Sequence, residues 1–351
     1  MYHGYDDPSG PLPLRRIACS GRMVMRLTVT RLAIAVTLLL LAASLSAEAQ
    51  PAKAPRIGLL GLGSAEPSPS FEALRQGLRE RGWVEGQSIT FEDRSAVDHY
   101  NRLPDVAAEL VRLNVDVIVA YGTTAALAAR SATRTTPIVT VAGSDPVETG
   151  LAASLARPGG NVTGLTNSGR DLVAKRLELL KEALPRLSRI AVLRNPESRT
   201  ELVSLRNAEA AAKSLGLQVQ PVEVRRPEDL EKAFARMTRE RAQALAPLPS
   251  SMFRVHRARI VELAARHRLP SIFQDRDSVE AGGLMSYGPD LKAIYRQLAI
   301  HVDRILKGAT PGELPFEQPT KFELVINRKT AKALGLMIPS SLLLRADQVI
   351  E

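Results

Sequence analysis

The stretch VDVIVAYGTTAALAARSATRTTPIVTVAGSDPV, from Val115 to Val147, constrains the fold more than any other part of the chain. It holds two near-continuous apolar runs, Val115–Ala120 and Ile138–Ala142, each stopping at a turn of small residues. Strands that are apolar at almost every position, and not at every second one, must be covered on both faces. Between them, Ala125–Thr133 has the length and composition of a helix. This is the β-α-β wording of a parallel sheet clad in helices.

The same rhythm begins upstream. Strand Arg56–Leu62 leads into a helix over Phe71–Arg81, with Phe71, Leu74 and Leu78 on one stripe and Gly82 just past its end. Strand Ser88–Glu92, helix Leu103–Leu113 and a short helix over Val147–Leu155 complete the first series. ARPGGNVTGLT, Ala156 to Thr166, then interrupts with three glycines and a proline. A second series follows: helix Asp171–Leu184, strand Arg189–Leu193, helix Glu201–Leu215, strand Gln218–Val224, helix Pro227–Glu240. It continues with a strand in Ala242–Leu248, helix Phe253–His267 and strands Ser271–Phe273 and Gly283–Ser286. The tail adds helix Leu291–Lys307, strand Phe322–Ile326 and helix Lys329–Leu334. The expectation is an α/β protein of two Rossmann-like doubly wound lobes with a hinge. Residues 55–164 form the first lobe and 165–285 the second. Residues 286–351 return, giving a helix to lobe 1 and a C-terminal crossover strand and helix. With 351 residues, 45% of them apolar, two such cores can be filled.

The N-terminus reads as an export signal. Arg26 and Arg31 precede the apolar run Leu32–Leu45, and Ala47-Glu48-Ala49 offers a small-residue cleavage site, so residues 1–49 are a signal peptide cut between Ala49 and Gln50. Fourteen apolar residues are fewer than the ~20 a spanning helix needs. The polar residues 1–22 suggest a start site set too early, with Met23 or Met25 as initiator. Arg15-Arg16 lies too far from the run for a twin-arginine signal. Cys19, the only cysteine, precedes the run instead of following it, which argues against a lipid anchor. The mature chain is then cysteine-free, with no disulfide and no thiol nucleophile.

Two doubly wound sheets meeting at a crossover put their strand C-termini around one crevice, where open α/β sheets bind ligands. The candidate site residues sit at those tips. Tyr121, Gly122, Thr123 and Thr124 follow the third strand at a helix start, where hydroxyls and free N–H groups can hold a carboxylate, though plain N-capping by Thr needs no ligand. Ser144 and Asp145 occupy the equivalent turn one strand later; Asp145 with Pro146 is also an ordinary helix start. Ser64 lies in the loop after the first strand. In the second series Asn195 and Asp275 follow strands, and Tyr287 lies near a return crossover. Asp145 or Asp275 can take an ammonium group. Each of these has a plain turn or cap as its alternative.

Other functions find little support. Gly61-Leu62-Gly63-Ser64 imitates a dinucleotide fingerprint, but Glu66 stands where the third glycine belongs. The histidines after the leader, His99, His256, His267 and His301, form no metal signature, and no G-x-S-x-G elbow exists. We therefore expect no enzyme, no cofactor and no metal. Aromatic residues make up 4% of the chain, too few for a base-stacking platform. The leader holds five Arg and three acids, so residues 50–351 carry +8 of the total +10. These charges alternate with acids along helix faces and predict solubility or attraction to anionic surfaces, with no nucleic-acid partner expected.

Longer motifs carry a family resemblance. RLPDVAAELVRLNVDVIVAYGTTAALAAR, TTPIVTVAGSDPVETGLAASLARPGGNVTGLT, KRLELLKEALPRLSRIAVLRNP, EAGGLMSYGPD and EQPTKFELVINRKTAKALGLMIPSSLLLRADQVIE resemble the substrate-binding proteins of ABC-type importers. The resemblance covers residues 55–351 and implies a type I periplasmic binding fold with three crossovers. It also implies an association with amino acids, aromatic ones included. By that resemblance Thr123, Thr124, Ser144 and Asp145 line the first lobe, and Asn195, Asp275 and Tyr287 the second lobe and hinge. RAQALAPLPSSMF departs from it, because Pro247 and Pro249 sit where a longer apolar strand is expected.

The expected function is an exported, periplasmic solute receptor, monomeric, that clamps a small molecule and hands it to a membrane permease. A periplasmic sensor presenting its solute to a signalling receptor is the alternative. A LacI-type regulator shares the architecture but needs a helix-turn-helix where this chain has an export signal.

Overall fold

The computed structural model describes residues 54–63, 69–167, 172–198 and 201–351. The leader 1–49, with Cys19 and the alternative start sites, lies outside the described residues, as does Ser64.

The first sheet has five strands in the order β2-β1-β3-β4-β5, all parallel. They are β1 (Arg56–Gly61), β2 (Thr90–Ser95), β3 (Val117–Ala120), β4 (Ile138–Ala142) and β5 (Val162–Thr166). Every residue of β3 and β4 is buried, as near-continuous apolar runs require, and so is every residue of the more polar β5. Helices α1 (Pro69–Arg79), α2 (Leu103–Arg112) and α3 (Thr123–Ala132) belong to this lobe. Leu103, Val106, Ala107 and Leu110 of α2, with Ala125, Ala126 and Ala129 of α3, pack with Leu60, Ile118 and Ile138 of the strands.

Two expectations fail here. No helix forms over 147–155; the chain makes consecutive turns there. The glycine-rich stretch also does not merely interrupt the fold, since its end, Val162–Thr166, is the edge strand β5. Gly164 makes this possible. A Cβ there would stand 2.0 Å from the carbonyl oxygen of Thr140 on β4, so only glycine lets the two strands pair.

The second lobe holds α4 (Leu172–Ala183), β6 (Arg189–Arg194), α5 (Glu201–Ser214), β7 (Gln218–Glu223), α6 (Leu230–Arg239) and β8 (Ala244–Leu245). After them come α7 (Ser251–Val255), α8 (Arg257–Arg266), β9 (Ile272–Phe273), α9 (Arg276–Glu280) and β10 (Met285–Gly288). Strands β7-β6-β8 pair in parallel, and a bridge from Leu245 to Ser271 joins β8 to the β9-β10 pair. The strand expected over 242–248 is cut short, and the prolines explain how. Ala246 and Leu248 donate to Ala191 and Leu193 of β6, while Leu245 donates toward β9, to Pro270. By the two-residue period the next donors facing β9 would be residues 247 and 249, and both are proline. The helix expected over 253–267 breaks at His256 into α7 and α8.

The chain then returns to the first lobe as α10 (Leu291–Leu306). Its apolar stripe, Ile294, Tyr295, Leu298, Ala299, Val302 and Ile305, packs with Ile57, Leu59, Val117, Val119, Val139 and Val141 of the first sheet. Strand β11 (Glu323–Asn327) goes back to the second sheet, antiparallel to β10. Helices α11 (Arg328–Ala333) and α12 (Ser340–Arg345) follow, and β12 (Gln348–Ile350) closes the edge. The chain therefore passes between lobes three times: after β5, after β10 and before β11.

Candidate functional site

A cavity of about 700 Å³ lies between the lobes. The tips of β3 and β4 supply Gly122, Thr123, Thr124, Ser144 and Asp145 from the first lobe. The second lobe supplies Arg176, Arg254, Gln274, Asp275 and Ser278, and the crossovers add Asn167, Pro289 and Phe322. This is the crevice at the strand C-termini that a doubly wound fold offers a ligand.

The two first-lobe turns converge. Thr123 Oγ1 accepts a hydrogen bond from the Gly143 N–H at 3.0 Å, fixing one turn to the next. Helix α3 begins at Thr123, not at Ala125, so Gly122 is its N-cap and neither threonine caps it. Gly122 has φ +92, a conformation open to glycine, and a Cβ there would meet Ser251 Oγ of the other lobe at 3.0 Å. The uncapped first turn of this ten-residue helix leaves donors at the positive end of its dipole. Asp145 starts no helix. Its Oδ1 accepts from the N–H groups of Val147 (2.8 Å) and Glu148 (3.3 Å) and holds a turn.

The second-lobe wall carries two guanidinium groups, one buried (Arg176) and one partly buried (Arg254). Arg176 is buried on α4, and its Nε donates to the Tyr287 carbonyl at 2.8 Å. Neither Nη atom has a hydrogen-bond partner among the described residues. Burial pulls its pKa down to about 10, against the opposing pull of Asp275 and Tyr287, so the group is still charged at neutral pH. Burial also works against Arg254, but the Tyr295 hydroxyl and Asp275 carboxylate beside it outweigh that and raise its pKa. Asp275 caps α9, its Oδ1 accepting from the N–H and hydroxyl of Ser278, both at 3.0 Å. Burial nonetheless pushes its carboxyl above the usual 3.8, against the pull of those bonds and of Arg254.

Three of the sequence-derived candidates stand elsewhere. The Tyr121 ring is not in the cavity wall; it stacks on Tyr295 at 5.5 Å, and its hydroxyl is buried without a partner. Asn195 is fully buried behind the wall. Its side chain donates to the Arg225 carbonyl and Met252 Sδ and accepts from the Glu197 N–H, so it braces a loop. The Tyr287 ring stacks on Phe322 at 6.1 Å, and only its carbonyl serves the site, through Arg176.

Arg176 and Arg254 escaped the sequence reading. For Arg176 a signal existed: Leu172, Arg176, Leu180 and Ala183 form one stripe at helical spacing, and all four are buried. A lone charge inside an apolar stripe is not a solvated face. No comparable signal marks Arg254. No group of His, Cys, Asp and Glu among the described residues could hold a metal ion.

A family model described as ABC transporter substrate binding protein matches residues 69–350. A tyrosine-binding protein of Clostridioides difficile is 27% identical over 282 residues, covering 79% of this chain and 81% of that one. The crystal structure of a conserved domain protein from Vibrio cholerae aligns with TM-score 0.78 at 29% identity, covering 85% of this chain and 100% of that one. An ABC domain from Streptococcus pneumoniae in complex with L-Trp aligns with TM-score 0.77 at 26% identity, over 84% and 99% of the two chains.

Proposed function

The chain belongs to the ABC transporter substrate-binding protein family, and we propose that it is an exported receptor for an amino acid or similar small carboxylate. It is a solute-binding protein of two-lobed type I periplasmic binding fold, and not an enzyme. In our reading the leader sends it to the periplasm, where it closes on its solute and delivers it to the permease of an ABC importer.

The observation that carries the reading is Arg176. Its two Nη atoms have no hydrogen-bond partner among the described residues yet keep access to solvent at the cavity, so a charge held in place by the Tyr287 carbonyl has donors free for an anion. A solute carboxylate takes those donors from the second lobe. From the first lobe the same carboxylate takes the Thr123 and Ser144 hydroxyls and the N-terminal N–H groups of α3. Asp275 Oδ2, which makes no hydrogen bond among the described residues, accepts the ammonium group. Because the two lobes bind the solute from opposite sides, the full set of contacts exists only when they are closed, and binding favours closure. The relatives that bind tyrosine and L-Trp support the amino-acid class.

Calorimetric titration of the purified protein with L-tyrosine, L-tryptophan and the other common amino acids tests the reading. Saturable binding with one site per chain is expected for at least one. Absence of binding to all of them, or chemical turnover of any, would overturn it.

A further inference from the structure

A second set of contacts joins the lobes at and beyond the rim of the solute cavity, where Tyr100 and Ser250 still line the wall and Asp98 and His256 do not. Asp98, between β2 and α2 of the first lobe, meets His256, between α7 and α8 of the second, with Oδ1 to Nε2 at 2.6 Å. Both side chains are about three-quarters buried, and neither lines the cavity. Beside them Tyr100 of the first lobe pairs its hydroxyl with Ser250 Oγ at 3.2 Å and accepts from the Met252 N–H at 3.4 Å.

Each lobe presents its half of this seam with local backbone features. Val97 and Asp98 have φ of +29 and +61, the left-handed region that non-glycine residues rarely adopt. Two bonds hold that loop to the end of β1: Ala96 donates to the Gly61 carbonyl and Asp98 to the Leu62 carbonyl. On the other side the chain bends at His256, where one helix ends and the next begins. Ser250 caps α7 by accepting from the Phe253 N–H.

We propose that Asp98 and His256 form a closure latch, a contact between lobes that biases the chain toward its closed form whatever solute the cavity holds. A contact present in the closed form and absent from the open one shifts that equilibrium by its own free energy. Since neither residue touches the cavity, the latch changes affinity for all solutes by one common factor. It sets the strength of retention and leaves selectivity to the cavity wall.

The test follows lobe separation directly. Cys19→Ser leaves a cysteine-free chain, and Arg134→Cys with Lys232→Cys then places one dye on an exposed position of each lobe. Energy transfer between the dyes is read without solute. Asp98→Asn and His256→Gln, alone and together, are expected to lower the closed-to-open ratio by about threefold or more, the scale of one net hydrogen bond between partly buried side chains. The double variant should lie close to either single one, since they break one contact. His267→Gln is the control, because His267 pairs with Thr238 inside the second lobe and should leave the ratio unchanged. Tyr100→Phe keeps the ring but removes the hydroxyl, and should also favour the open form if an Asp98 variant fails to fold. A ratio unchanged in His256→Gln and Tyr100→Phe overturns the latch, as does an equal shift in His267→Gln. Whether the wild-type protein binds a solute at all is read separately by calorimetry, so a receptor without a latch and a latch without the expected solute are separate results.

Discussion

Thr123 Oγ1 accepts the Gly143 N–H at 3.0 Å, and this bond ties the tip of β3 to the tip of β4. It links the two turns that a carboxylate would touch from the first lobe, so position and chemistry depend on the same hydroxyl. Thr123 is buried, and its oxygen is occupied while its hydrogen is free to donate.

Removing the hydroxyls has two readouts. Thr123→Ala leaves the Gly143 N–H without its partner and should lower stability in urea denaturation by about 1 kcal/mol. Thr123→Ala with Ser144→Ala should also weaken solute binding by about 1–3 kcal/mol in calorimetry, from lost bonds to a charged group. Unchanged affinity would remove the first-lobe turns from the site.

Arg176→Gln should weaken binding by about ten- to a hundredfold, the loss of charged hydrogen bonds in a buried position. The same change removes a buried charge and should leave stability unchanged or raised. Calorimetry and thermal unfolding on the same variant separate the two effects. Loss of both affinity and stability would assign Arg176 a structural role instead.

Gly77 on α1 faces α10, and a Cβ there would stand 2.5 Å from the Arg296 carbonyl oxygen and 2.8 Å from the Ala299 Cβ. The obstacle is backbone, so one helix must shift. Gly77→Ala should cost about 1–3 kcal/mol in urea denaturation, despite the better helix propensity of alanine. A stabilised variant would mean that α10 is not held closely against α1.

The parallel strands were legible because buried strands such as β3 and β4 are apolar throughout, a pattern that needs no tertiary information. What the chain hid was tertiary. The glycines of 156–166 read as a loop, and only the approach of Gly164 to Thr140 shows why a strand needs one there. Post-strand positions located the cavity but not which side chains enter it. Tyr121 and Asn195 sit at such tips yet are held by Tyr295 and by Arg225 and Met252, neighbours brought near only by folding. Arg176 showed itself through the stripe it interrupts, whereas Arg254 lies on a five-residue helix too short to have a face.

Asp275 should give opposite pH responses for folding and for binding. Its carboxyl is raised above 3.8 in the folded chain, so between that value and the raised one the folded form holds a proton that the unfolded form has released. The stability this group contributes is full below 3.8 and declines as pH rises through the folded pKa. Ammonium binding needs the carboxylate, so affinity for an amino acid rises across the same window and is level above it. Asp275→Asn keeps a residue able to cap α9. It should abolish the affinity slope and leave amino-acid affinity at the low level expected of the wild type in acid. It should remove only this group's share of the stability slope, which carboxyls held below their usual range, such as Glu80 and Glu92, oppose. Calorimetry across the acid range, paired with thermal unfolding at each pH, checks both signs. An affinity that falls with rising pH in the wild type, or an affinity slope that survives in Asp275→Asn, would take the ammonium group away from Asp275.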